Sequence, residues 1–286
     1  MSIQESIYFI SNALAAIYEP SEAEIIAQWL LESITGLAPT AMRLQKDQLL
    51  TAAQEATMHR YLEELQQHRP VQYVLGESYF YGYPFYVDEA VLIPRPETEE
   101  LVQKVLAYID HKYSATEPVR ILEVGTGSGC ISIALQKKVA QSQVTGLDIS
   151  EEALVVARRN AASLGATVTF VRADFLEEAS WEALGTFDLV VSNPPYITLP
   201  EKEAMHTHVL SREPHLALFV SDNDPQQFYR KIETFAHKYL RKDGAVFLEL
   251  NQSFAHDTQD LYNRNGWKTD LYKDLNDNER MLVCYR

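Results

Sequence analysis

At 286 residues, with 46% hydrophobic and 23% charged side chains, the chain has the composition of a folded protein of one or two domains, which excludes disorder as its main character. A formal net charge of −15 argues against a nonspecific hold on phosphate backbones. The two cysteines, Cys130 and Cys284, form neither a disulfide framework nor a metal cluster, and of the eight histidines only His206 and His208 lie close together, so no metal site is expected.

The chain opens with Ile3, Ile7, Ile10, Leu14 and Ile17 at helical spacing. Ser21-Glu22-Ala23-Glu24 has the form of a capping box, opening a second helix with Ile25, Ile26, Trp29 and Leu30 that Gly36 ends. A third helix is expected over residues 47–67 from Leu49, Leu50, Met58, Tyr61, Leu62 and Leu65. Together these predict a helical domain over residues 1–70, closed by Pro70. Residues 7–18 follow Gln4 and Glu5 with no basic residue before them, unlike a secretory signal, and no apolar run approaches the ~20 residues a membrane span needs. A cytoplasmic protein is the expectation.

Residues 71–95 read as a hairpin linker, because a tyrosine-rich, strand-like run over 71–87 is broken by Gly76, Gly82 and Pro84. Ile93-Pro94-Arg95-Pro96-Glu97-Thr98-Glu99-Glu100 then places prolines and acids before an apolar helix with Leu101, Val102, Val105 and Leu106, which suits a helix N-terminus. This segment stands where it can close over a site in the following domain, with Arg95 as the side chain expected there. From Pro118 strands and helices alternate: strand 119–124, helix 130–138, strand 143–147, helix 150–164 stopped by Gly165, then strands 168–172 and 187–192. Such alternation predicts an α/β fold, a Rossmann-like and mostly parallel sheet with helices on both faces. The tail differs, since strand 245–250 and a helix precede strand-like runs at 267–272 and 281–285 that a short loop joins into an antiparallel hairpin.

Two stretches carry chemistry. Glu123-Val124-Gly125-Thr126-Gly127-Ser128-Gly129 lies between the first strand and its helix, where glycines permit a tight turn and let a ligand approach the backbone. It lacks the Gly-Lys-Ser/Thr ending of a phosphate-binding loop. Asp148, about twenty residues on at the next strand end, can accept hydrogen bonds from both hydroxyls of a ribose. Asp174-Phe175 after the third strand can read the edge of an adenine and pack on its face. A nucleoside cofactor follows, either a dinucleotide or S-adenosylmethionine, and no hydride-transfer machinery accompanies it. The second stretch, Asn193-Pro194-Pro195-Tyr196, follows the buried strand 187–192. Proline has no N–H, so the turn offers carbonyl oxygens and the Asn193 side-chain oxygen, acceptors that fit an NH2 group, with Tyr196 to lie against the flat face of an amide or a base.

At these residues the chain resembles the release factor glutamine methyltransferases of the HemK or PrmC family. The likeness runs through Pro70-Val71-Gln72-Tyr73-Val74-Leu75-Gly76, Leu92-Ile93-Pro94-Arg95-Pro96-Glu97-Thr98-Glu99, the glycine-rich stretch and Val191-Ser192-Asn193-Pro194-Pro195-Tyr196-Ile197. The Asn-Pro-Pro-Tyr turn alone is shared with adenine-N6 DNA methyltransferases; the Pro-Arg-Pro segment is the specific part. The resemblance implies a class I methyltransferase fold. It also implies that Gly125, Thr126, Gly127, Ser128, Gly129, Asp148, Asp174, Phe175 and Asn193 contact S-adenosylmethionine, while Asn193, Pro194, Pro195 and Tyr196 hold a glutamine amide. The implied substrate is the Gly-Gly-Gln loop of a class 1 peptide chain release factor, methylated on the glutamine N5, with the helical domain over residues 1–70 recognising it; a monomer with no stable nucleic-acid binding and no membrane contact is the expectation. Departures from the family pattern occur at Val220-Ser221-Asp222-Asn223-Asp224-Pro225, at Asn251 where glycine is expected, and at Asn276-Asp277 in place of an Ala-Gly-like turn, all expected to miss the cofactor and amide contacts. The rival readings are an adenine-N6 methyltransferase acting on a flipped base and a noncatalytic S-adenosylmethionine-binding module.

Overall fold

The structure, a computed structural model, describes residues 1–198, 212–221 and 223–286. His206, His208 and Asp222 lie outside them. Among the described residues one compact unit comprises Met1–Gly76 and Arg212, and a second comprises the remainder.

In the first unit α1 (Ile3–Leu14), α2 (Pro20–Thr35), α3 (Pro39–Leu44), α4 (Ala52–Gln66) and α5 (Val71–Leu75) surround a core of Ile3, Ile10, Leu14, Ile26, Leu30, Met58, Leu62 and Leu65. The expected capping box at Ser21 does not form: Pro20 is the first residue of α2, so the chain is already helical there, and the N-cap Glu19 gives no side-chain bond. Reciprocal capping boxes form instead between Ser2 and Glu5 and between Thr51 and Gln54, each satisfying helix-end donors. Residues 71–75 are helical rather than strand-like, because Val71 and Val74 belong to this core and Gly76, at φ 67°, supplies the left-handed cap. The boundary therefore falls after Gly76, not at Pro70.

In the second unit the strand-like run shortens to the hairpin β1 (Ser78–Phe80) and β2 (Tyr83–Phe85), with positive φ at both turn residues, Tyr81 and Gly82. Helix α6 (Pro96–Lys112) begins at Pro96, with Glu97 and Glu99 in its first turn. There follow β3 (Arg120–Val124), α7 (Cys130–Lys138), β4 (Gln143–Asp148), α8 (Glu151–Leu164), β5 (Val168–Arg172), β6 (Phe187–Ser192), α9 (His215–Leu218), α10 (Gln227–Tyr239), β7 (Leu240–Glu249), α11 (Ala255–Arg264), β8 (Lys268–Lys273) and β9 (Glu279–Tyr285). The main sheet runs β5-β4-β3-β6-β7-β9-β8, parallel through β7, with β9 and β8 joined as an antiparallel edge.

Alternation along the strands divides the core in two. Ile121, Leu189, Val191 and Phe247 share one face with Leu101, Val105, Ile131 and Leu135; Leu122, Val190, Val246 and Leu248 share the other with Ile232, Phe235 and Tyr262. Strand β6 is buried at every position, as a central parallel strand must be. Strand order reverses between β3 and β6, and their register sets Val124 beside Leu147 on one side and Ser192 on the other. The loops after β3, β4 and β6 thus leave the sheet at one level, the place where open α/β sheets bind ligands.

Candidate active site

The glycine-rich loop is shaped by its backbone. Gly125, Gly127 and Gly129 have φ of 77°, 50° and 81°, a region that L side chains rarely enter. Gly129 is the most constrained: a β-carbon there would stand 3.1 Å from Ile133, 3.2 Å from Ala157 and 3.3 Å from Phe170. The loop folds inward on Glu123, whose Oε2 accepts bonds from Thr126 Oγ1 at 2.6 Å, from the Ser132 N–H at 3.0 Å and from the Ser132 hydroxyl. Burial pushes the Glu123 carboxyl up to about 7 against those bonds. Thr126 and Ser128 are therefore buried at the side chain and leave the main chain as their means of meeting a ligand. Cys130 follows at the helix start; burial pushes its thiol up to about 12, which makes it a packed side chain rather than a nucleophile.

Asp148 ends β4, half-buried, with Oδ2 accepting the Gly127 N–H at 2.8 Å and Oδ1 the Ser150 N–H at 3.0 Å. A carboxylate has about four lone-pair sites, so acceptor capacity remains for further donors. Its pKa is raised by burial, opposed by those backbone bonds. Asp174 accepts the Leu176 N–H at 2.9 Å on Oδ1 alone among the described residues. The ring of Phe175 does not serve as an open stacking face: it is 3% exposed and lies 5.3 Å from Trp181 and 5.5 Å from Phe235 in the core, so its main chain is what the strand end presents.

The Asn193 turn stands beside the glycine loop; a β-carbon on Gly125 would lie 4.0 Å from the Asn193 carbonyl oxygen. Ser192 ties the two strand ends by donating to the Val124 carbonyl at 2.8 Å. Asn193 Nδ2 donates to Thr98 Oγ1 at 3.1 Å, and Thr98 donates to Glu249 Oε2 at 2.7 Å. Glu249 Oε1 accepts the Tyr196 hydroxyl at 3.3 Å, and the Tyr196 carbonyl accepts from Asn251 Nδ2 at 2.9 Å. Among the departures from the family pattern, Asn251 thus holds the main chain of Tyr196 from outside the turn, and its φ of −69° places no demand for glycine. Asp277, by contrast, adopts φ 64°, a left-handed position that Asp tolerates, so the Asn276-Asp277 turn keeps its shape without glycine. Beyond the turn, Ile197 bridges Phe219, with its N–H on the Leu218 carbonyl and its carbonyl accepting from Val220.

Arg95 pairs with Glu213 at 2.5 Å; the second Glu213 oxygen is buried without a hydrogen-bond partner among the described residues. The Arg95 charge reaches the Tyr196 hydroxyl, whose pKa is raised chiefly by burial and then by Glu249. Thr98, Glu249 and Asn251 are the site residues that sequence reasoning missed. Thr98 lay within a quoted segment, Glu249 within an expected strand and Asn251 among the departures, but no local pattern links residue 98 to 193 or 249. Among the described residues no group of three His, Cys, Asp or Glu side chains could hold a metal ion, and no helix is long and apolar enough to cross a membrane.

A parallel sheet with this order, a glycine-cradled strand end, a carboxylate with spare acceptor sites and an acceptor turn beside it define a Rossmann-like methyltransferase that uses S-adenosylmethionine. Residues 115–278 match the methyltransferase domain family model and residues 8–76 the PrmC N-terminal domain. The chain belongs to the release factor glutamine methyltransferase family. It is 40% identical over 272 residues to the protein of that name from Flavobacterium psychrophilum, covering 95% of this chain and 94% of that one. To the one from Bacteroides thetaiotaomicron it is 37% identical, covering 97% and 98%. In fold alone it resembles the hMettl16 catalytic domain solved in complex with the MAT2A 3'UTR hairpin 6, with a TM-score of 0.54 at 13% identity over 82% of this chain and 81% of that one.

Proposed function

We propose that this chain transfers a methyl group from S-adenosylmethionine to the side-chain amide nitrogen of the glutamine in the Gly-Gly-Gln loop of a class 1 peptide chain release factor. The observation that carries this reading is the state of the Asn193 carboxamide. Its NH2 is given to Thr98, so Oδ1 is turned outward, next in sequence to the Pro194 carbonyl, and among the described residues neither oxygen accepts a bond. Two neighbouring acceptors fit the two N–H bonds of a primary amide.

The cofactor's chemistry is a methyl group made electrophilic by its sulfonium. Asp148 has acceptor sites for the two ribose hydroxyls, while the second Asp174 oxygen and the Phe175 N–H form an acceptor–donor pair suited to an adenine edge. The glycine backbone leaves room for the remainder. An amide nitrogen is a poor nucleophile because its lone pair is delocalised into the carbonyl, so orientation must supply the difference. Asn193 Oδ1 and the Pro194 carbonyl hold the amide protons, withdraw the nitrogen from water and direct its lone pair toward the methyl. As positive charge grows on nitrogen, the same two dipoles stabilise it. The methylated nitrogen is acidic and releases its proton to water, so no side chain is assigned as general base.

Tyr196 fixes the plane of the amide, and Arg95 and Pro195 complete its surroundings. The helical unit supplies surface for the release factor, and the enzyme works as a monomer in the cytoplasm, where translation ends. Mass spectrometry of a release factor incubated with enzyme and S-adenosylmethionine tests the whole reading. One added methyl on the loop glutamine is expected; transfer to adenine in DNA with none to protein would overturn it.

A further inference from the structure

We propose that Thr98 is a positioning residue for methyl transfer, setting which end of the Asn193 carboxamide faces the substrate, with Glu249 deciding the direction. This rests on the reading of the Asn193 turn as the amide cradle. Thr98 lies in the first turn of α6, 3% exposed, with its N–H on the Arg95 carbonyl at 3.1 Å. Its hydroxyl has one proton and must face two partners, Glu249 Oε2 at 2.7 Å and the Asn193 amide at 3.1 Å. Glu249 is 2% exposed at the end of β7, and its Oε2 takes the Thr98 hydroxyl proton. Thr98 Oγ1 can then only accept, and only the NH2 end of Asn193 can satisfy it. The carboxamide oxygen is left for the substrate.

The reverse arrangement would be costly at both ends. If Thr98 gave its proton to Asn193 Oδ1, a buried carboxylate oxygen would lose its donor and face hydroxyl lone pairs. The Asn193 NH2 would then meet the substrate NH2, donor against donor, and the glutamine amide could not be held. Burial raises the Glu249 pKa; the Thr98 bond, the Arg280 charge and the Tyr196 bond oppose that rise, and the charge of Glu97 adds to it. Tyr229 leaves the carboxylate alone and donates to the Glu249 main-chain carbonyl at 3.2 Å. Because the other Glu249 oxygen holds the Tyr196 hydroxyl, one carboxylate aligns both the acceptor and the aromatic wall of the cradle.

The test compares Thr98→Val, which keeps the shape and removes the hydroxyl, with Thr98→Ser, which keeps the hydroxyl, each alone and with Asn193→Ala. Single-turnover methylation of release factor gives the rate, and calorimetry gives the S-adenosylmethionine Kd. Thr98→Val is expected to lower kcat about 10- to 100-fold with cofactor Kd within about twofold, which also reports a folded protein, and Thr98→Ser to stay within about threefold of the parent. Added to Asn193→Ala, Thr98→Val should cost nothing further, since its effect passes through that side chain. Near-parental turnover in Thr98→Val beside a crippled Asn193→Ala would overturn the role of Thr98 alone. So would a serine variant as slow as the valine one, or a further tenfold loss on top of Asn193→Ala. Near-normal turnover in Asn193→Ala would overturn the cradle itself and this inference with it.

Discussion

At the ends of β3 and β4 the glycine-rich loop is held by hydrogen bonds between groups 3 to 32 positions apart, as with Thr126 and Glu123 or Asn160 and Ser128. At the ends of β6 and β7 the Asn193 turn is held by partners 53 to 151 positions apart, through Tyr196, Thr98 and Glu249. The first half depends on backbone conformation within one βαβ unit, the second on side chains brought together by the completed sheet. Damage to either half should therefore appear in a different kinetic constant.

The largest effect is expected at Asn193. Its contact with the amide strengthens as charge develops, so Asn193→Ala should lower kcat on the order of 10²- to 10³-fold while leaving cofactor affinity within a few fold. Steady-state kinetics beside calorimetry would show it, and equal losses in kcat and cofactor Kd would erase the contrast between the halves. Asp148→Ala should do the reverse, because ribose contacts are alike in ground and transition states. Cofactor Kd should rise on the order of 10- to 100-fold with kcat at saturation kept. A collapsed kcat at normal Kd would give Asp148 a part in the chemistry.

Glu123 sharpens the comparison through pH. Its folded pKa of about 7, above an unfolded value of ~4.3, means that the native chain holds a proton that the unfolded chain has released across that window. The stability this proton confers is complete below the window and is lost as pH rises through about 7. Glu123→Gln cannot ionise, so its melting temperature should gain a few degrees on the parent between about pH 5 and about pH 8. A difference independent of pH would show that Glu123 stays charged throughout. The smallest effect is one of salt. With a net charge of −15 facing a substrate that works among RNA phosphates, encounter should weaken as the Debye length falls from ~30 Å at 0.01 M to ~10 Å at 0.1 M. A severalfold fall in kcat/KM for release factor, with cofactor Kd steady, is expected across that series; parallel changes in both would remove steering as the cause.

The same contrast explains what could be read in advance. Helix α7 and strands β5 and β6 fall on their expected residues because glycine, β-branched runs and periodicity are local signals. The glycine loop and Asp148 were legible for the same reason. Residues 71–75 misled because Val71, Tyr73 and Val74 suit a strand, yet burial of Val71 and Val74 against neighbouring helices favours a helical turn. Phe175 followed an adjacency to Asp174 that does not say which way a ring points. Thr98 looked like one more polar residue at a helix start, and only the folded sheet brings it to Asn193 and Glu249.

The 151-residue span between Thr98 and Glu249 also sets an order of assembly during synthesis. Strands β3 and β4 leave the ribosome early and can close their loop over short separations, whereas the Thr98 hydroxyl has no acceptor until β7 has emerged and joined the sheet. A nascent chain stopped before β7 can present a nucleoside-binding loop while Asn193 is still free to turn either way. The Thr98–Glu249 contact that orients Asn193 is therefore among the last to form, once the C-terminal strands are in place.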